Sequence, residues 1–526
     1  MVDIMFDCIN PNHPLFIKDS SHRELFAYHD GVIFLIEEAK RDSVFQKYFQ
    51  LACKTLGKTP RLEEKTLLQL KNEFYSDDMS LLDDSSIEDS SKMQEEVVNI
   101  ISHAAKSGAS DVHILTSSQA RVTIIFNRID GDMVRVRELN LEKGKALQGT
   151  LYTTMCSEGE PYLIEKKPQD GRIGAEFVAE CGLSGCRVST RPTDDGLYMV
   201  LRLLSKQENK NICLTDAGYS MQQETDLWSI ADRPFGLMLM SGATGSGKST
   251  TISNMLNAQY RKYEGKKNII TIEDPPEYKI EGARQTQIIC DKNDDDAISR
   301  EWAKSISSVM RLDPDIIFIG EVRDSSSAMG AIRAAITGHF VYTTLHVNDA
   351  FGCIQRLADI GIDVAFLYDP KVLTGLVNQS LTKRLCDNCK LPFLGNEARV
   401  SEDVVRRVKR YANPESVCII GNGCAECNNR GVVGRTAVAE VVKTNSALLE
   451  VYRQSGKLAA MKYWVEHMNG ITKCQSLIDK INKGIVDPSI GETDVCLLDE
   501  DEVTLGAIHQ AERVAKVKQI SSGGAS

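Results

Sequence analysis

No run of about 18 apolar residues occurs anywhere in this 526-residue chain. The longest candidates, such as 31–36 and 235–240, are far too short to cross a bilayer, which excludes a membrane-spanning helix. The first ten residues have neither a basic end nor an apolar stretch, so a conventional signal peptide is excluded too. Lysine and arginine form no clustered stripe, which speaks against a dedicated duplex-DNA binder. There is no internal repeat. Without an export signal, the fifteen cysteines are expected to be reduced in a cytoplasmic protein, as buried thiols or metal ligands rather than disulfides.

The chain does have length for several cores, since one domain typically takes about 150 residues. Its net charge is −11, but the acid is local. Seven acids and no base lie between Asn72 and Ser91, and eight acids run from Gly484 to the next base, Arg513. The remainder is mildly basic, so the acidity is expected in a linker and a tail. The stretch 76–91, SDDMSLLDDSSIEDSS, has too few core formers to offset its ordering entropy. It is expected to be a mobile tether, with an exposed acidic helix as the alternative.

Composition and periodicity predict these divisions: an N-terminal partner-docking domain over 1–75, the acidic linker over 76–92, and a second, α+β domain over 93–206. An α/β core follows over 207–380, then a cysteine-bearing element over 381–440, a helical region over 441–515 and a tail over 516–526. In the core, apolar runs at 235–240, 268–272, 315–319 and 340–344 alternate with helical stretches, the texture of a parallel sheet covered on both faces.

The segment Gly242-Ala243-Thr244-Gly245-Ser246-Gly247-Lys248-Ser249 spells a complete P-loop, and it follows a strand and opens a helix as the motif requires. Its glycines let backbone N–H groups wrap phosphates at a helix N-terminus. Lys248 is expected to reach the terminal phosphates of ATP, with Thr250 beside it and the Ser249 hydroxyl holding Mg²⁺. Hydrolysis needs further parts to position water and neutralise charge. The run Asp315-Ile-Ile-Phe-Ile-Gly320-Glu321 is an apolar strand ending in a carboxylate, so Glu321 is expected to orient water, while glycine at 320 stands where many P-loop proteins carry a metal-side aspartate. A second strand delivers Glu273 and Asp274 before Pro275 and Pro276, and Glu273 is the expected metal and water organiser. His346 ends another strand-like run, placing it to sense a terminal phosphate, whereas His339 at the opposite end is expected to be structural.

Cys386-Asp-Asn-Cys389 and Cys424-Ala-Glu-Cys427 are two CxxC pairs with 34 residues between them. Four thiolates closing a tetrahedral Zn²⁺ make a structural site, and a redox pair would need a thioredoxin-like context that is absent. Lys383, Arg384, Lys390 and Arg430 are near enough in sequence to offset its −2 charge.

Four segments in order, ATGSGKSTT at 243–251, TIEDPPEY at 271–278, RLDPDIIFIGEVRD at 311–324 and TGHFVYTTLHVNDA at 337–350, resemble the secretion-ATPase family that powers type II secretion and type IV pilus assembly. The resemblance spans roughly 93–480, with SDVH, PQDGRI and RVSTRP in the upstream domain. It implies a RecA-like P-loop ATPase domain and a homohexamer in which one subunit's upstream domain faces nucleotide held by another. Arg172, Arg187 and Arg202 would then stabilise the phosphates. It also implies a motor docked on an inner-membrane platform protein, peripheral to the membrane through that partner, with no specific nucleic acid. The cysteine quartet and the long N-terminal region resemble extension and secretion motors rather than retraction motors. A P-loop motor for DNA transfer is the alternative.

Overall fold

The computed structural model describes residues 14–15, 17, 25–36, 39–40, 43–65, 84–205, 213–290 and 294–506. The expected tail at 516–526 and residues 76–83 of the expected tether lie outside the described residues. Two compact units are present. One comprises Met1–Ile100 with Asn140–Cys156 and Pro161–Leu163, the other the rest.

In the first unit, β1 (Phe26–His29) and β2 (Val32–Leu35) form a hairpin around Asp30-Gly31, both at positive φ. α1 (Ser43–Leu56) follows, and β3 (Arg61–Glu64) adds in parallel to β2. Phe26, Ile33, Leu35, Phe45 and Ala52 close a core, with the Phe45 ring edge-on to Phe26 at 5.5 Å. α2 runs from Asp84 to Lys106. Thus 84–91, expected as tether, belong to a helix. Its apolar face, Val97, Ile101 and Ala104, is buried further along. α3 (Leu141–Met155) is capped by Asn140, whose side chain accepts from the Lys143 N–H at 2.9 Å.

The second unit carries two seven-stranded sheets. The first has the order β6-β5-β4-β10-β9-β8-β7, built from β4 (Ala109–Ser117), β5 (Val122–Ile129), β6 (Asp132–Asn140), β7 (Cys156–Glu158), β8 (Gln169–Ile173), β9 (Leu183–Thr193) and β10 (Gly196–Ser205). Burial along β5 alternates residue by residue, as one face packed and one face wet demands.

The second sheet has the order β13-β12-β14-β15-β11-β16-β19. Its strands are β11 (Gly236–Ser241), β12 (Ile269–Glu273), β13 (Arg284–Gln287), β14 (Ile316–Ile319), β15 (Phe340–Leu345), β16 (Leu373–Leu385) and β19 (Val432–Lys443). The short pair β17 (Leu391–Pro392) and β18 (Cys418–Ile419) lies between β16 and β19 in the chain. All neighbours in the second sheet are parallel except β19, which returns antiparallel on β16. The four central strands β12, β14, β15 and β11 are buried at every position, because helices cover both faces. α4 (Met221–Ala231) and α5 (Lys248–Lys262) contribute Leu227, Ile230, Ile252, Met255 and Leu256 to one face. α6 (Asp295–Val309) and α7 (Ser325–Ile336) contribute Trp302, Ile306, Ala331 and Ile332 to the other.

The acids after Gly484 are not a solvated tail as far as they are described. α8 (Glu402–Tyr411) packs with α10 (Lys473–Asn482), α11 (Pro488–Asp494) and α12 (Glu500–Leu505), while α9 (Ser446–His467) joins the main core. Asp487 caps α11, Asp501 accepts from Thr472, and Glu502 pairs with Arg410. Glu492 forms a two-pronged pair with Arg407, both contacts at 2.5 Å, with side chains only 5% and 14% exposed. Glu492→Ala would strand a buried guanidinium and is expected to cost about 3 kcal/mol locally. Glu450, paired to Arg453 at the surface, is expected to be replaceable by Ala with no measurable loss. Hydrogen exchange over α8, α9 and α11 checks both.

Candidate functional site

β11 ends at Ser241, the chain turns through 242–247, and α5 begins at Lys248. Gly242, Gly245 and Gly247 all have positive φ. A side chain at Gly242 would come within 2.2 Å of the Gln379 carbonyl, so the loop hugs β16 where only glycine fits. α5 has no side-chain N-cap, which leaves its leading N–H groups free to face an anion. Lys248 is 7% exposed, and its ammonium donates to the carbonyls of Gly242 (2.8 Å) and Ala243 (3.0 Å). Burial pulls its pKa down, while Glu321 and Glu277 oppose that pull. The Thr250 hydroxyl donates to Tyr278 at 3.1 Å, tying the helix start to the segment after β12.

Glu321 follows β14 and lies between two partners. Arg323 Nη2 is 3.0 Å from Oε2, and His346 Nε2 is 3.5 Å from Oε1. Two hydrogen bonds fix this juxtaposition: Thr344 Oγ1 donates to Gly320 O at 2.6 Å, and the Val322 N–H donates to Thr344 O at 3.1 Å. His346 is held toward the neutral form by burial first, then by Lys248, against the pull of Glu321. His339 lies at the other end of β15 and faces the Ala334 carbonyl at 2.9 Å. A Cβ at Gly320 would lie a tight 3.2 Å from Ile272 O, so the glycine where many P-loop proteins carry an aspartate sits close against β12.

Glu273 is buried and its Oε1 is held by Thr271 Oγ1 (2.6 Å) and Gln285 Nε2 (3.0 Å); burial raises its pKa. Its carboxylate therefore contacts its own strand, β13 and the backbone of Glu277, and Glu277, four residues on, is the acid of the 271–278 segment that Lys248 feels. Motif position within 271–278 was the available signal for Glu277, and the 311–324 motif was the signal for Arg323. Gln379 and Asn378 carried a different one, a polar pair inside the apolar run of β16.

In the first sheet, Arg172, Arg187, Arg202 and Asp111 are direct cross-strand partners in sequence β8, β9, β10, β4. Three guanidiniums thus share one face in a row. Arg202 Nε donates to Asp111 Oδ1 at 3.0 Å, and Glu277 lies close enough to add to its charge stabilisation. Like charges placed directly opposite repel, so the row favours a bound anion.

The quartet comes together. All four Sγ atoms lie within 4.8 Å of one another, with Cys386–Cys424 at 3.7 Å, Cys389–Cys427 at 3.8 Å and Cys424–Cys427 at 3.7 Å. Ligands about 2.3 Å from a tetrahedral ion sit ~3.8 Å apart, so the donor set fits Zn²⁺. Burial opposes ionisation of Cys427, but N–H groups of Cys424 and Gly431 point at its sulfur and bring its pKa down to about 6. Of the four cations expected to neutralise the cluster, three are spent on carboxylates. Lys383 pairs with Asp132, Arg430 with Asp130, and Lys390 with Asp387.

The family model described as Type II/IV secretion system protein matches residues 86–505. The type II secretion system protein E of Aeromonas hydrophila is 34% identical over 396 residues, covering 73% of this chain and 72% of its own. The type IV pilus assembly ATPase PilB of Myxococcus xanthus is 34% identical over 371 residues, covering 69% of this chain and 61% of its own. Among solved structures, the pilus retraction motor PilT bound to ADP shares the fold at TM-score 0.50 and 24% identity, covering 75% of this chain and 96% of that one. On this match over residues 86–505, the chain belongs to the type II/IV secretion system protein family.

Proposed function

We propose that this chain is a magnesium-dependent ATPase, acting as a cytoplasmic homohexameric motor for type II secretion or type IV pilus assembly. The observation that carries the proposal is the meeting of Lys248, Glu321 and His346 at the carboxyl ends of β11, β14 and β15, three neighbouring strands. Both systems appear in the names of relatives at 34% identity.

In this proposal Lys248 exchanges its two loop carbonyls for the terminal phosphates of ATP. The leading N–H groups of α5 and the P-loop hold the remaining oxygens. Ser249, with Glu273 as organiser, faces Mg²⁺, whose charge neutralises the phosphates. Glu321 orients the attacking water, and neutral His346 reports the terminal phosphate to Glu321. The Arg172–Arg187–Arg202 row supplies forked cations to nucleotide held by a neighbouring protomer. The tetracysteine element holds Zn²⁺ as a structural ion. An inner-membrane platform protein is the docking partner, and no nucleic acid is assigned, since relatives are named for secretion and pilus assembly rather than DNA transfer.

Glu321→Gln is expected to leave nucleotide affinity within about twofold while lowering ATP turnover at least ~100-fold, measured by phosphate release and by fluorescent-nucleotide titration. Near-normal turnover would sink the role given to Glu321. Elemental analysis of reduced protein is expected to find about one zinc per chain, reduced in Cys386→Ser, with chelation lowering hydrogen-exchange protection around α8 and β18. Finding no metal would reject the zinc site.

A further inference from the structure

β16 reads LTGLVNQSLTKRL, and its centre carries two consecutive amides, Asn378 and Gln379, with 0% and 2% exposure. Neighbouring residues of a strand point to opposite faces, so the pair reaches to both sides of the sheet at once. β16 lies directly beside the P-loop strand, with Asn378 opposite Ser241.

On one face Gln379 Nε2 donates to the Ser246 carbonyl at 2.6 Å, inside the P-loop. Its Oε1 accepts from Thr251 Oγ1 at 2.9 Å, in the first turn of α5, and from the Tyr219 hydroxyl. A Cβ at Gly247 would lie 2.8 Å from the same Nε2, so the loop is drawn onto this amide as closely as glycine allows. One side chain therefore joins the phosphate loop, its helix and the segment before α4.

On the other face Asn378 Nδ2 donates to Ser241 Oγ at 2.8 Å and to the Val347 carbonyl at 2.9 Å. Ser241 is the last residue before the P-loop, and Val347 directly follows His346. Asn378 Oδ1 is buried with no donor among the described residues. An orphaned buried carbonyl is destabilising, so at Asn378 that cost is carried alongside the two bonds its Nδ2 makes to Ser241 and Val347. Rules of local stability are broken where a site needs the geometry.

We propose that Asn378 and Gln379 are positioning residues of the nucleotide site, with different duties. Gln379 holds the P-loop in the conformation that accepts phosphates. Asn378 locks the His346 loop to the P-loop strand, so that His346 and Glu321 keep register with the terminal phosphate. This rests on the ATPase reading, and nucleotide binding measured separately from turnover keeps the two distinguishable.

The test compares full-length Gln379→Met and Asn378→Leu with the unaltered chain, using fluorescent ADP titration, steady-state ATP turnover and thermal unfolding. Gln379→Met is expected to weaken ADP binding about tenfold, as loss of the three hydrogen bonds that brace the P-loop implies, and to raise KM in step with a smaller change in kcat. Asn378→Leu is expected to keep ADP affinity within about twofold and lower kcat at least ~10-fold. A purely structural role predicts instead that both variants lower the unfolding temperature while the folded fraction keeps unaltered affinity and kcat. That result, or the same pattern of loss in both variants, would overturn the proposal. If Gln379→Met does not fold, Gln379→Glu carries the test: it keeps the acceptor for Thr251 and Tyr219, loses the donor to Ser246, and is expected to weaken ADP binding at least as much. An unaltered chain that binds ADP but never turns over ATP would count against the ATPase reading, leaving the Gln379 affinity comparison standing.

Discussion

The parallel register of β14, β15, β11 and β16 is the constraint on which the site depends. Ile319 is opposite Thr343, Leu345 opposite Ser241, and Ser241 opposite Asn378, so these strands reach one edge together. The groups just beyond the strand ends, Glu321, His346 and the P-loop, therefore emerge side by side. A slip of one residue would turn each side chain to the wrong face of the sheet. Every central strand is buried on both sides, which makes such a slip expensive and the edge stiff. The short bonds from Thr344 to Gly320 and from Val322 to Thr344 then set the loops past the sheet.

The parts legible in the sequence are those whose chemistry is contiguous. The P-loop, the acid at the end of β14, the histidine ending β15 and the two CxxC pairs each carry their meaning within a few residues. The parallel sheet was legible from the apolar runs themselves. Pairings between distant residues were not. The antiparallel return of β19 is separated from β16 by the whole cysteine element, and nothing local to 432–443 gives its direction. The acids after Gly484 look like a solvated tail because their partners, Arg407 and Arg410, lie some 90 residues upstream. Helix α2 begins in a stretch with no apolar period, supported by the buried face further along. Glu273 stands at a strand end as its motif suggests, while the bonds that Thr271 and Gln285 make to it are visible only in the side-chain geometry.

Electrostatics divides the second unit into places where charge is matched and places where like charges gather. The cations flanking the cysteine element are mostly matched by the β5–β6 turn: Arg430 meets Asp130, and Lys383 meets Asp132. In the arginine row, Arg202 meets Asp111, while Arg187 faces a guanidinium on either side. The first arrangement is content as it stands, whereas the second concentrates positive potential that anions brought from outside would relieve.

β16 also runs on from Asn378 to Leu385 and delivers Cys386 to the four-cysteine cluster. At about 3.3 Å per residue, that is a span of ~26 Å between the phosphate loop and the cysteine knuckles. An extended strand braced along its length by β19 compresses very little. The phosphate loop and the cysteine knuckles are thus joined by one continuous strand, whose register with β19 changes near Arg384.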